Sequence, residues 1–421
     1  MERHEPVYII DGTRTPFIKA KGIPGNCSAG DLAVQAGKAL LMRQNFQVEN
    51  IDEVILGCVL SSPDEANVAR VAALRLGCSI TTPAWTVQRN CGSGLQALDS
   101  AVQSIRSGRS DIVLTGGTEA MSRTPFLWRQ DFLHWLGQWK SARSFSARLN
   151  TLFRFHWKFL KPEIALLRGL TDPSTGLNMG QTAEELAYNF HITREQMDTY
   201  AFESHQKLAV AYDEKQLQCE LTPLLDPVSG QIYTEDDGLR RATSLSSLAK
   251  LPPFFDKIYG SVTAGNSSQI TDGACLLLLA SEKAVKRYNV PILGRIIDTT
   301  WVGLSPAKMG LGPVYSMSQL LDTHKLTLDN LDAYEINEAF AAQVLACISC
   351  WKKDYAAQYG EIDLNKLNRE GGAISLGHPV GASGARLVLH LLHSLKYRAE
   401  KKGMVSLCVG GGQGGAMLIE C

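Results

Sequence analysis

A cysteine stands where a polar stretch gives way to a helix, in Gln88-Arg89-Asn90-Cys91-Gly92-Ser93-Gly94-Leu95-Gln96-Ala97-Leu98. The apolar spacing of Leu95, Leu98, Val102 and Ile105 predicts an amphipathic helix that begins just past the sulfur. Free N–H groups and the dipole at a helix N-terminus favour the thiolate, the nucleophilic form. Glycines at 92 and 94 let a substrate or another backbone come close. The chemistry implied is attack by sulfur and a covalent intermediate. A lone cysteine is more often an inert core residue. What the other segments supply therefore decides the matter.

The same plan recurs near the C-terminus. Gly381-Ala382-Ser383-Gly384 opens a second apolar helix (Leu387, Val388, Leu391, Leu392, Leu395). A strand-like run, Met404–Val409, then leads into Gly410-Gly411-Gly412. In the first half, Cys91–Gly94 precedes a helix, the strand-like Asp111–Thr115 and Gly116-Gly117. This order reads as an internal duplication that brings two equivalent turns to one site.

Three more segments carry candidate groups: Gly265-Asn266-Ser267-Ser268 within Ser261–Gly273, then Asn337-Glu338-Ala339-Phe340-Ala341, then Gly371–Pro379 with the later Cys408-Val409-Gly410. Taken alone, Asn337 reads as an N-cap, Gly377-His378-Pro379 as a turn and Cys408 as a strand-core residue. Together, and in this order over nearly the whole chain, the segments resemble the thiolases, acyl-CoA:acetyl-CoA C-acyltransferases. The resemblance extends to the β-subunit type of fatty-acid oxidation (trifunctional) complexes. It implies a duplicated five-layer αβαβα fold and a homodimer or tetramer. It makes Cys91 the nucleophile, His378 its base and Cys408 a second acid/base. It implies one oxyanion hole from His378 and a water held by Asn337, and another from the N–H groups of Cys91 and Gly410. Met179, Phe255, Ala264 and Ser268 fall where thiolases contact the pantetheine arm. Coenzyme A enters as a substrate, so the resemblance implies no cofactor and no metal. Thiolases specific for short chains often carry His before the Met-Gly of this region, where this chain has Asn178.

Several elements must position these groups. Val7–Ile10, Glu53–Leu60 and Ile112–Leu114 read as strands, and Asp31–Gln44, Asn67–Leu76 and Gly94–Ser107 as helices. The alternation predicts an α/β fold with a helix-covered sheet. We expect an N-terminal half over 1–120, a loop domain over 121–280 and a C-terminal half over 281–421. The loop domain carries helical patterns at Thr182–Asn189 and Arg194–Gln216 and no clear strand series. Its stretch 127–170 holds four of the seven tryptophans (Trp128, Trp135, Trp139, Trp157) with Phe132, Phe153, Phe155 and Phe159. Eight Lys and Arg residues there face only Asp131 and Glu163. This composition suits a membrane interface, an acidic ligand or a partner such as a hydratase/dehydrogenase α subunit. A packed helical hairpin with a solvated basic face fits it as well.

The 421 residues carry zero net charge, 45% apolar and 20% charged residues, so the composition has no nucleic-acid signature. Ten cysteines lie without disulfide-framework spacing, which fits a reducing compartment. The strand at Val7 leaves no room for a signal peptide and no apolar run is long enough to span a membrane, so a cytoplasmic location with peripheral membrane contact is expected. Gly410, Gly412 and Gly415 fit a dinucleotide fingerprint, but the chain ends before the acidic residue it requires. Cys347 and Cys350 lack the second pair a zinc site needs. His390 and His393 read as surface residues. The expected activity is 3-ketoacyl-CoA thiolysis in fatty-acid β-oxidation. Acetoacetyl-CoA synthesis by Claisen condensation and a non-catalytic lipid-binding role stand as alternatives.

Overall fold

A computed structural model describes residues 5–421; residues 1–4 of the expected first domain lie outside the described residues. Nine strands form the principal sheet path: β1 (Val7–Arg14), β2 (Glu53–Gly57), β3 (Ala84–Val87), β4 (Ile112–Ala120), β5 (Thr271–Ser281), β6 (Gly294–Gly303), β7 (Ala333–Ile336), β8 (Lys402–Val409) and β9 (Gln413–Glu420). Their order is β7-β8-β9-β6-β1-β5-β4-β2-β3. β1 joins the two halves, pairing antiparallel with β5 on one side and β6 on the other.

Alternation of side chains sorts the core into layers. On β5, Ala274, Leu276, Leu278 and Ala280 pack outward against α1 (Ala29–Leu41) and α2 (Val68–Leu76). Cys275, Leu277 and Leu279 point inward to α3 (Ser93–Arg106) and α11 (Ser383–Tyr397). Val405 and Leu407 of β8 meet those two helices from the other side. Met404 and Cys408 face the outer helices α9 (Gly312–His324) and α10 (Ala341–Asp354). The result is helix, sheet, helix pair, sheet, helix: the five layers the resemblance implied. α1 starts at Ala29, two residues before the expected Asp31, because Ser28 caps it, accepting from the N–H of Asp31 at 3.1 Å while its own N–H donates to the Asp31 carboxylate at 2.8 Å.

One long strand lies almost wholly inside the stretch 121–280, where no strand series was expected. Thr271–Ser281 is a central strand, paired over its length with β4. It is buried on both faces, so it shows an apolar run and no alternation of polar residues. That pattern hid it inside the expected loop domain. Val7–Ile10 likewise extends to Arg14 and Ile112–Leu114 to Ala120.

Between β4 and β5 lie α4 (Gln130–Ser141), α5 (Phe145–Phe153), α6 (Ala165–Gly169), α7 (Met179–Asn189) and α8 (Arg194–Asp213). The 127–170 insert is closed at its neck by an antiparallel pair, Phe126 opposite Ile164 and Leu127 opposite Glu163. Trp135 centres an aromatic ladder. It stacks on Phe132 (6.0 Å) and Trp139 (5.9 Å), meets Phe155 edge-on (5.1 Å) and donates its indole N–H to the Thr151 carbonyl at 2.7 Å. The hairpin reading thus accounts for one face. The other face leaves Phe145, Phe153 and Trp157 exposed at 82%, 80% and 79%.

His390, expected at the surface, is buried in α11 between two carboxylates. Its Nδ1 lies 2.9 Å from Glu220 and its Nε2 3.2 Å from Glu370. Glu220 also receives Arg14 at 2.7 Å, and Arg14 bridges on to Asp236 at 2.7 Å. Glu335 lies alongside. With both ring nitrogens donating, the imidazolium has no lone pair for a metal. His393 is half-buried on the same helix. Burial pushes the His390 imidazole down, and the charges of Glu220 and Glu370 more than reverse this, holding it up at about 10. A raised folded-state value means the pair stabilises fully below the usual imidazole value and loses this as pH rises toward 10. His390→Gln should lower unfolding stability by about 3 kcal/mol or more by leaving buried carboxylates uncompensated. Urea unfolding at pH 7 measures this, and the gap between wild type and variant should narrow by pH 10.

Candidate active site

The two duplicated turns meet at the centre of the molecule. A Cβ on Gly384 would collide with the backbone of Leu95, and one on Gly94 would press on the carbonyl of Gly381 at 2.7 Å. Only glycine at these positions lets the N-termini of α3 and α11 approach so closely. The loop carrying Cys91 thereby meets the loop carrying His378 and the β8–β9 turn. That turn is a hairpin, Val409 opposite Gln413, and a strand follows it, so the Gly410–Gly415 run is not a dinucleotide loop.

Cys91 sits one residue before Gly92, the N-cap of α3, and is partly exposed. Burial of the sulfur raises the thiol to about 11, while the N–H groups of Gly410 and of Cys91 itself pull it back down. The expectation of a thiolate favoured by helix position alone is therefore corrected. Desolvation outweighs the amides, the resting group is a thiol, and a base must take its proton.

His378, the expected base, is buried. Burial, with the nearby charge of Arg386, lowers its imidazole to about 4, so the ring is neutral. Its Nδ1 lies 2.6 Å from the Ser383 hydroxyl, whose own hydrogen goes to the Pro379 carbonyl at 3.0 Å. Ser383 thus accepts from Nδ1–H, which leaves the lone pair on Nε2. The Asn337 amide donates toward that Nε2 at 3.4 Å. Asn337 is wholly buried and is not an N-cap, since α10 starts four residues later. Cys408, 2% exposed, is pushed well up by burial and by the proximity of Cys91. That environment keeps Cys408 in its thiol form.

The remaining motifs hold these groups in place. The N–H of Ser268 donates to Ala339 at 3.0 Å and that of Ala341 to Asn266 at 2.9 Å, which ties the Gly265–Ser268 turn to the Asn337–Ala341 segment. Met179 opens α7, with its sulfur 3.4 Å from where a Cβ on Gly410 would stand. Phe255 packs edge-on against Phe340 at 5.7 Å. Ser268 is half-buried and Ala264 stands exposed in the same turn. Asn178 caps α7 through a reciprocal bond with Gln181.

Sequence reasoning missed three supporting groups. Glu338, buried inside the Asn-Glu-Ala-Phe motif, accepts from Ser204 (2.7 Å), Tyr200 (3.0 Å) and the N–H of Ile374 (3.2 Å), which fixes the loop leading to His378. Glu119 of β4 accepts from Val59 (2.9 Å), Leu60 (3.0 Å) and Gly381 (3.1 Å) and so clamps both halves; burial raises its carboxyl to about 7. Ser383 orients His378. A carboxylate among apolar residues was the available signal for Glu119 and Glu338. The insert also reaches this centre. Leu166 and Leu170, at its C-terminal end, pack with Met121, Val380, Val59 and Leu60 in an apolar cluster around Cys91.

The thiolase N-terminal domain family model matches residues 7–283 and the thiolase C-terminal domain model matches residues 290–421. The mitochondrial 3-ketoacyl-CoA thiolase of Rattus norvegicus is 39% identical over 417 residues, covering 98% of each chain. The mitochondrial trifunctional enzyme subunit beta of Bos taurus is 37% identical, covering 98% of this chain and 88% of its own. The crystal structure of human mitochondrial 3-ketoacyl-CoA thiolase in complex with CoA superposes with a TM-score of 0.85 at 38% identity, covering 99% of this chain and 98% of that one. Both halves, the layer order and the full-length matches agree: the chain belongs to the thiolase family.

Proposed function

We propose that this enzyme is a 3-ketoacyl-CoA thiolase of fatty-acid β-oxidation, with Cys91 as its nucleophile. The observation that carries the reading is that the amides of Cys91 and Gly410 and the thiol of Cys408 surround one sulfur, with the His378 loop packed beside it through Val380. In this reading His378 takes the Cys91 proton and the sulfur bonds to C3 of the substrate. The N–H groups of Cys91 and Gly410 hold the resulting oxyanion. The C2–C3 bond then breaks and its electron pair stays on C2, as an enolate held by His378 and an Asn337-bound water. Cys408 gives C2 a proton and acetyl-CoA leaves. Incoming CoA returns a proton to Cys408, its sulfur attacks the acyl carbon, and Cys91 departs with the proton from His378. Met179, Phe255, Ala264 and Ser268 line the pantetheine arm. Cys408→Ser should slow turnover by orders of magnitude yet leave an acyl group on Cys91. Intact-mass and peptide mapping after one turnover check this, and an acyl group on Cys408 of the wild type would overturn the roles.

The acetoacetyl-CoA alternative uses the same groups in reverse. The apolar cluster of Met121, Leu166, Leu170 and Val380 beside Cys91 favours a longer acyl chain. Leu166→Asp should cut thiolysis of C10–C16 substrates at least tenfold relative to C4, a loss that steady-state assays across chain lengths read directly. Activity on C4 alone in the wild type would support the alternative. An absence of turnover would support a lipid-binding role.

The same reading makes the exposed face of the insert a docking surface on anionic membrane, in an enzyme that is cytoplasmic and a homodimer or tetramer. Among the described residues no helix is long and apolar enough to cross a membrane. Arg148, Arg154 and Lys158 are exposed beside Phe153 and Trp157, which suits headgroup depth. Reversing these three charges should abolish co-flotation with anionic liposomes while soluble thiolysis stays within about twofold, the exposed side chains lying outside the catalytic set. Retention on a hydratase/dehydrogenase α subunit without any liposome binding would assign the face to that partner.

A further inference from the structure

Asn90 is joined to the turn opposite it, 320 residues away in the chain. Its side-chain amide donates to the Gly410 carbonyl at 2.8 Å. Its backbone takes φ +44, a left-handed conformation that asparagine accepts more readily than most residues. Its carbonyl accepts from the N–H of Ser93 at 3.0 Å and from the Ser93 hydroxyl at 2.7 Å. The Ser93 hydroxyl in turn accepts from the N–H of Arg89 at 2.8 Å. This closes the turn that presents Cys91.

Gly410 begins a run of three glycines, and the next two stand at φ +87 and +80. No other composition leaves a backbone so free to rotate. The Gly410 N–H reaches the Cys91 sulfur in the resting protein, and to serve the reaction it must stay aimed at the adjoining position where the substrate oxygen becomes negative. A bond to its carbonyl holds the peptide plane that follows Gly410 and so restrains the turns about its Cα that would swing the amide away. The Asn90 amide lies against the Gly410 Cα, 3.4 Å from where a Cβ would stand, with the Met179 sulfur at the same distance.

We propose that Asn90 is a positioning residue that sets both donors of the Cys91/Gly410 oxyanion hole, the first through its backbone and the second through its side chain. The proposal rests on the reading of Cys91 as nucleophile and Gly410 as oxyanion donor. It adds that the hole is assembled across the two halves by one side chain and does not stand preformed in the glycine turn.

Asn90→Gly keeps the left-handed backbone and removes the donor. Asn90→Asp keeps shape and backbone and turns a carboxylate on the Gly410 carbonyl. Both should lower kcat by roughly tenfold to a hundredfold, Asp more than Gly, because a misaimed oxyanion donor loses part of its effect. KM for 3-ketoacyl-CoA and CoA should stay within about twofold and the melting temperature near that of wild type, since no substrate-binding surface is removed. Rapid-quench mass spectrometry should show slower acylation, still on Cys91. Wild-type kcat in either folded variant overturns the proposal, as does a rise in KM at unchanged kcat. Should the glycine variant fail to fold, the isosteric Asp variant decides alone. An acyl group found elsewhere than Cys91 in the wild type overturns the functional reading itself, an outcome separate from the variants' kinetics.

Discussion

The contact between the first turns of α3 and α11 organises the rest of the molecule. Two helices with ordinary side chains at Gly94 and Gly384 would stand apart by the width of those side chains. With glycine there, their N-termini touch, and the loops just before them meet. One loop carries Cys91 and the other His378. The five-layer stack follows from the same constraint. α3 and α11 are clothed in apolar side chains on both sides and need a sheet on each, which the duplicated halves provide.

Desolvation at this centre decides which groups are charged. It lowers His378 and raises Cys91 and Cys408, so all three rest neutral. The same burial in α11 has the opposite outcome at His390, where two carboxylates are in contact and the imidazolium persists. One helix thus presents His378 a polar anchor through Ser383 and, two turns on, contributes to a buried ion network that fastens the halves. What differs between the two histidines is the partner, not the depth.

The insert joins two environments. Its α6 reaches the apolar cluster that includes Cys91, while its helical arm carries an aromatic ladder on one face and exposed aromatics on the other. A hairpin whose aromatic residues all packed inward would leave a plain basic surface. Here the side chains exceed what the ladder can bury, and the excess is exposed among Arg and Lys.

Residue type and order alone carried much of the fold and site. The helix after Cys91, its counterpart after Gly384 and the strand before Gly410 stand where their local patterns placed them. Capping residues, glycines and amphipathic spacing act over a few residues and are legible there. Long-range partners were not. Thr271–Ser281 lost its strand signature because both faces are covered, and His390 read as surface because Glu220 and Glu370 are distant in the chain. Charge state followed the same division: helix position argued for a thiolate at Cys91, and burial, which depends on the complete packing, reversed it. Asn90 looked like one more polar residue of a loop until folding set Gly410 against its side chain. The sequence determined which groups this protein could use, because chemistry is local to a side chain. Tertiary structure alone decided their protonation and aim, because both depend on neighbours brought from the far end of the chain.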